Sequence, residues 1–193
     1  MPQIRLVVLA SGSGSLFQAL IDWQSEHKAK IVGLITDVQC QAVKRAESAN
    51  IPVEVIEMQE NRNSWDEKLA TKIASFNPDL IVSAGFMRII GPAVLEKFEG
   101  KIINTHPALL PNFPGAHAVR DALKAGVTQT GSTIHFVDSG MDTGEVIVQQ
   151  ALAIEPTDTE DSLHERIKEV ERKLLVQVVD DFASGKISPR VRS

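Results

Sequence analysis

The stretch that most constrains the fold lies at the start of the chain. Ile4 to Ala10 is apolar except for Arg5 and is cut off sharply by Ser11-Gly-Ser-Gly14. A strand without polar alternation must be covered on both faces, the situation found in parallel sheets. Phe17, Leu20 and Ile21 then recur at helical spacing, and Lys30 to Thr36 reads as a second strand. Ala42 to Ala49 reads as helix, Ile51 to Ile56 as a short strand, and Asn63 to Phe76 as a helix with Trp65, Leu69, Ile73 and Phe76 on one side. Asn77-Pro78 breaks that helix, and Asp79 to Ala84 is a fourth strand. This alternation predicts an α/β, Rossmann-like fold with a mainly parallel twisted sheet and helices on both faces.

The second half is less regular. Lys101 to Thr105 is a fifth strand, and His117 to Ala125 a short helix. Gly131 to Val137 and Glu145 to Ile154 have strand composition and lie close together, which predicts an antiparallel portion in the C-terminal half. Thr157-Asp-Thr-Glu160 has the form of a capping box. The long last helix it opens carries the stripe Leu163, Ile167, Val170, Leu174 and Val178, and Gly185 marks its end.

Bulk properties narrow the function. At 193 residues, with 43% hydrophobic and 23% charged, the chain reads as a single domain, 1–193, able to bury about 70% of its unfolded surface. A formal net charge of −5 argues against nucleic-acid binding, which favours a basic face. It does not exclude small anions, which a few cations and backbone amides can hold. Cys40 is the single cysteine, so no internal disulfide forms, and no Cys/His spacing suggests a zinc site. No metal is expected. The run Leu6 to Ala10 is too short for a signal-peptide core or a membrane span. A cytoplasmic protein with no membrane partner is the expectation.

In open α/β sheets ligands bind beyond the carboxyl ends of the strands, and three strand ends here are unusual. Ser11-Gly-Ser-Gly-Ser15 separates the first strand from the first helix. Its glycines let backbone approach an anion at a helix N-terminus. Phe17 occupies the place of the third glycine of a dinucleotide fingerprint, and no Walker-type motif exists, so a monophosphate cradle fits better. Gly85-Phe-Met-Arg88 follows Leu80 to Ala84 and puts an arginine on a glycine-containing turn. Asn104 and His106 end the fifth strand on one face, roughly 7 Å apart along it. Both are suitable donors to an oxyanion. Pro107 and Pro111 restrict the loop that follows. A carboxylate that raises the pKa of His106 would help it to donate at neutral pH. Asp138 and Asp142 are both candidates, and spacing does not choose between them. The Asp142-Thr-Gly144 triplet occurs once, in an α/β pattern, which argues against an aspartic protease.

With these stretches in view, the sequence resembles the phosphoribosylglycinamide formyltransferase family from Leu6 to about Phe182. The resemblance runs through SGSGS, AGFMRI (Ala84 to Ile89), NTHPALLPNFPGAHA (Asn104 to Ala118) and HFVDSGMDTGEVIVQ (His135 to Gln149). It implies formyl transfer from 10-formyltetrahydrofolate, a co-substrate, to the amine of glycinamide ribonucleotide in purine biosynthesis. Asn104, His106 and Asp142 match the family's catalytic residues, with Asp142 keeping His106 charged. Gly14, Ser15 and Leu16 match the phosphate-binding segment. A typical member has Asn where Leu16 stands, so that expectation rests on the backbone amide. Glu171 matches a ribose contact. Met87, Arg88, Ile89 and Ile90 match the pterin edge of the folate site, where Asn104 also belongs, and Arg62 matches a residue near the folate tail. Ser139, Gly140, Met141 and Asp142 match a segment that closes over the pterin. His117 and His135 match positions that line or support the site, and His135 also suits a strand core. A cis peptide between Leu110 and Pro111 is implied too.

The resemblance divides the chain into a phosphate-binding half, about 1–100, and a catalytic and folate-binding half, about 101–193. Related readings are a formyltetrahydrofolate hydrolase, another formyl-folate transferase such as the methionyl-tRNA enzyme, and a non-catalytic nucleotide sensor. A tRNA-directed member is expected to carry a further C-terminal RNA-binding domain and a basic surface, and a hydrolase a regulatory domain before the first strand. FPGAHA (Phe113 to Ala118) favours the glycinamide enzyme. Monomer and homodimer are both compatible with the sequence.

Overall fold

The computed structural model describes residues 3–24 and 28–189. Its centre is a seven-stranded sheet built from β1 (Ile4–Ala10), β2 (Ala29–Thr36), β3 (Val53–Val55), β4 (Leu80–Ser83), β5 (Ile102–His106), β6 (Gln129–Phe136) and β7 (Val146–Ala153). The spatial order is β3-β2-β1-β4-β5-β6-β7. The first five strands pair in parallel, whereas β5–β6 and β6–β7 are antiparallel. This is the mixed, mostly parallel α/β sheet read from the sequence.

The lack of alternation in β1 is explained by its two coverings. Leu6 and Val8 face a core with Phe17 and Leu20 of α1 (Ser15–Gln24) and Leu175 and Val179 of the last helix. Val7 and Leu9 face Trp65, Leu69 and Ile73 of α3 (Arg62–Ser75). Each of these side chains is fully buried, worth about 1.5–3 kcal/mol apiece relative to exposure.

The chain runs outward from β1 to β2 and β3, through α2 (Gln41–Ser48), then returns across β1 to β4. The loops after β1 and β4 therefore diverge and leave a crevice at the carboxyl edge. Because β5 is parallel to β4, its carboxyl end reaches the same edge. All three unusual strand ends thus come together.

Some elements differ from the sequence reading. Pro92–Phe98 forms a helix, α4, that the sequence analysis did not identify; its N-terminus is held by the buried Asp66 carboxylate, which accepts from the Gly91 and Ala93 amides. A partner on α3, far away in the chain, makes that helix. The short helix α5 (Ala118–Lys124) is as expected. The last helix, α6, spans Glu160–Ala183. Its capping box lies two residues later than expected: Thr159 accepts from the Ser162 amide while Ser162 Oγ accepts from the Thr159 amide. Asp158, not Thr157, precedes the cap and binds Ser162 and Arg166. The peptide between Leu110 and Pro111 is cis.

Candidate active site

The carboxyl edge opens into a cavity of about 690 Å³, within the range of small-molecule sites. Its walls come from both halves of the chain: the loop after β1, the turn after β4, the end of β5, the loop between β6 and β7, and one side of α6.

Asn104 and His106 share a face of β5 and both line the cavity, as alternation requires. His106 is 3% exposed. Its Nε2 lies 2.8 Å from the Phe113 carbonyl; a carbonyl only accepts, so Nε2 carries the proton. Nδ1 is left facing Asp142 Oδ2 at 3.4 Å. His135 lies between two partners: its Nδ1 is 2.8 Å from the Phe136 carbonyl and its Nε2 is 3.2 Å from Asn104 Nδ2. That contact orients the Asn104 amide and leaves one of its hydrogens uncommitted.

Tertiary structure resolves the choice of acid. Asp142 brings one carboxylate between the two imidazoles, accepting from the Gly115 amide at 2.8 Å and lying 3.6 Å from His135 Nε2. Asp138 instead binds the Gly140 amide and the Thr143 hydroxyl, folding its own loop. The Asp142 carboxyl is held down to about 2, chiefly by the His135 ring, then by the Gly115 amide and His106. The 3.6 Å contact to His135 is long for a hydrogen bond, so the amide at 2.8 Å is the firmer tether.

Two effects oppose each other at His106. Asp142 does raise the pKa of His106, but burial lowers it more, and the net direction is below 6.5. Desolvation outweighs one carboxylate at 3.4 Å.

The loop from Pro107 to Phe113 is fixed by hydrogen bonds as well as by its prolines. Thr133 Oγ1 donates to the Ala108 carbonyl and accepts from the Leu110 amide, while Gln149 Nε2 donates to the Leu110 carbonyl.

At the other end of the cavity lies the glycine loop. Gly14 has φ +69°, and a Cβ there would come within 2.8 Å of Ala42 Cβ. Only glycine lets the chain turn into α1 against α2. Gly14, Ser15 and Leu16 line the cavity. The Leu16 side chain itself is buried in the core beside Phe17.

Met87, Arg88, Ile89 and Ile90 line the wall after β4. Met87 and Ile89 are 71% and 65% exposed, an apolar platform at the mouth. Arg88 is tied by Nε to the buried Asp37 carboxylate at 2.6 Å. Arg62 does not line the cavity; its guanidinium lies 4.6 Å over the Trp65 ring and donates to the Ile89 carbonyl, bracing this turn from behind. Gly140 and Met141 line the cavity, whereas Ser139 between Asp138 and Gly140 is exposed outside it. His117 is likewise exposed at the start of α5, next to the lining residue Ala116.

Glu171 is 4% exposed and faces the cavity from α6. Burial pushes its carboxyl up to about 7, against the opposing pull of Lys168 and Ser132. His164 and Lys168 line the same wall and were missed in the sequence. Their spacing with Glu171, i, i+4 and i+7, puts all three on one helix face beside the apolar stripe, and that signal was available.

A side-chain amide, a buried imidazole and a carboxylate on one cavity wall, with a glycine loop in the same cavity, are the parts expected of an enzyme that transfers a group at a carbonyl. Comparison with known proteins agrees: residues 4–179 match the formyl transferase family, and the chain belongs to it. It is 48% identical over 183 residues to a phosphoribosylglycinamide formyltransferase of Mycobacterium tuberculosis, covering 93% of this chain and 85% of that protein. A trifunctional purine biosynthetic protein adenosine-3 of Bos taurus is 40% identical over 95% of this chain and 19% of its own length. Among solved structures, glycinamide ribonucleotide transformylase 1 from Symbiobacterium toebii superposes with a TM-score of 0.93 at 33% identity, over 98% of this chain and 92% of that one. Among the described residues no helix is long and apolar enough to cross a membrane, and no group of His, Cys, Asp and Glu is placed to hold a metal ion.

Proposed function

We propose that this protein transfers the formyl group of 10-formyltetrahydrofolate to the amine of glycinamide ribonucleotide. The ribonucleotide phosphate sits on the amides of Gly14, Ser15 and Leu16, with Lys168 as a nearby cation and Glu171 toward the ribose. The folate lies against Met87 to Ile90, under the loop that carries Gly140 and Met141. The formyl group is then delivered to Asn104 and His106. The observation that supports this reading is the meeting of Asn104, His106 and Asp142 on one cavity wall opposite the glycine loop.

The amine attacks the formyl carbon, forming a tetrahedral adduct with a charged oxygen and a charged nitrogen. Asn104 donates its free amide hydrogen to the oxygen. Neutral His106 takes the proton from the nitrogen at Nδ1, its Nε2 being committed to Phe113. Asp142, 3.4 Å away, stabilises the imidazolium so formed. The adduct collapses as its oxygen re-forms the carbonyl; the bond to the folate nitrogen breaks, and that nitrogen takes the proton back from His106. Formyl-ribonucleotide and tetrahydrofolate leave, and atoms and charge balance without a metal.

The test is incubation with 10-formyltetrahydrofolate, with and without glycinamide ribonucleotide, following folate product. Product that forms only when both are present is the expected result. Equal rates in the two tubes identify a hydrolase, silence in both a ligand sensor, and either outcome overturns the proposal.

A further inference from the structure

We infer that Arg45 of α2 is a positioning residue: by holding the Ser13 carbonyl it turns successive backbone amides toward the bound phosphate. The inference rests on the reading of the glycine loop as the phosphate site.

Arg45 does not line the cavity; it stands behind the loop. Three consecutive loop carbonyls are engaged away from the cavity. The Ala42 amide donates to the Gly12 carbonyl at 3.1 Å, Arg45 Nε donates to the Ser13 carbonyl at 2.8 Å, and the Gln18 amide donates to the Gly14 carbonyl at 2.8 Å. In a planar trans peptide the C=O and the following N–H point in opposite directions. The amides of Ser13 and Gly14 therefore point away from α2, and that of Ser15 points out of the start of α1. Among the described residues none of the three, nor Leu16, donates to another protein group. These residues form the cavity wall.

The three anchors are not equivalent. Gly12 is held by the backbone of α2 and Gly14 by the helix it opens, and both survive side-chain changes. The Ser13–Gly14 peptide depends on one side chain. Glycine stands on both sides of Ser13 and offers little resistance to rotation of that peptide. Arg45 is fixed in turn by Nη1, which donates to Gln18 Oε1 at 3.0 Å. Without Arg45, the Gly14 amide loses its aim while the rest of the fold stays as it is.

The experiment uses the full chain carrying Arg45→Met, with both substrates varied separately and inorganic phosphate as a competitor. The KM for ribonucleotide and the inhibition constant of phosphate should both rise about 5- to 10-fold, the scale of one oriented hydrogen bond. The folate KM and kcat should hold within about twofold, and Arg45→Lys, which keeps a donor and the charge, should recover most of the loss. A thermal melt establishes that the variant is folded, as expected for a partly exposed side chain. If phosphate competes with ribonucleotide in the parent protein and Arg45→Met leaves that competition unchanged, Arg45 has no such role. An equal rise in the folate KM marks a general distortion and overturns the inference too. Absence of phosphate competition in the parent protein removes the loop as the phosphate site, and the inference falls with it.

Discussion

The two ends of the cavity are built by different means. At the glycine loop the backbone amides of Ser13 to Leu16 have no protein partner among the described residues, and the side chain of Leu16 packs in the core. At the end of β5 the groups are side chains, each held by a separate partner: Asn104 by His135, His106 by Phe113, and Asp142 by Gly115. A backbone site tolerates changes of side chain as long as the chain keeps its path. A side-chain site depends on each residue and on its protonation state.

The largest expected effect strikes the side-chain end. His106→Ala should lower kcat by about 10³-fold and Asn104→Ala by about 10²–10³-fold, while calorimetry shows ribonucleotide binding unchanged within about threefold. Loss of binding in step with turnover would erase the distinction between the two ends.

The pH profile follows. Burial lowers the pKa of His106, so its Nδ1 is free to act as a base at neutral pH. The kcat of the ternary complex should fall about tenfold per unit on the acid side, below pH 6.5, as that nitrogen protonates. An acid limb lying above 6.5 would mean that Asp142 outweighs burial once substrates are bound.

Glu171 sharpens the comparison in terms of stability. Its folded pKa, about 7, lies above the ordinary carboxyl value. Folding therefore favours the protonated form, a contribution fully present below pH 4.5 and lost as pH rises through 7. Glu171→Gln should raise stability by up to about 3 kcal/mol at pH 8 and leave it nearly unchanged at pH 4.5, while raising the ribonucleotide KM. Urea denaturation at the two pH values reads the difference; equal gains at both would show that ionisation is not the cause.

The smallest effect on activity belongs to the backbone end. Leu16→Ala should cost roughly 2–3 kcal/mol of stability, as for a buried leucine, yet move the ribonucleotide KM by no more than about twofold. A much larger KM change would show that the side chain, and not only the amide, serves the anion.

Local spacing carried much of this protein. The apolar β1 required a doubly covered strand, and its core residues do divide between two opposite clusters. Alternation put Asn104 and His106 on one face, and the glycines of residues 11–15 marked the turn that lines the cavity ahead of α1. These features were legible because a strand repeats every two residues and a helix every 3.6, whatever surrounds them. What decided the chemistry was distant in the chain. Asp142 rather than Asp138 reaches His106 because Gly115 anchors its carboxylate. Burial, not the carboxylate, sets the net shift of His106. α4 exists at Pro92 because Asp66 caps it, and Arg45 meets Ser13 because α2 packs behind the loop. Desolvation and the identity of a partner depend on everything brought close in space, and only the folded chain supplies that.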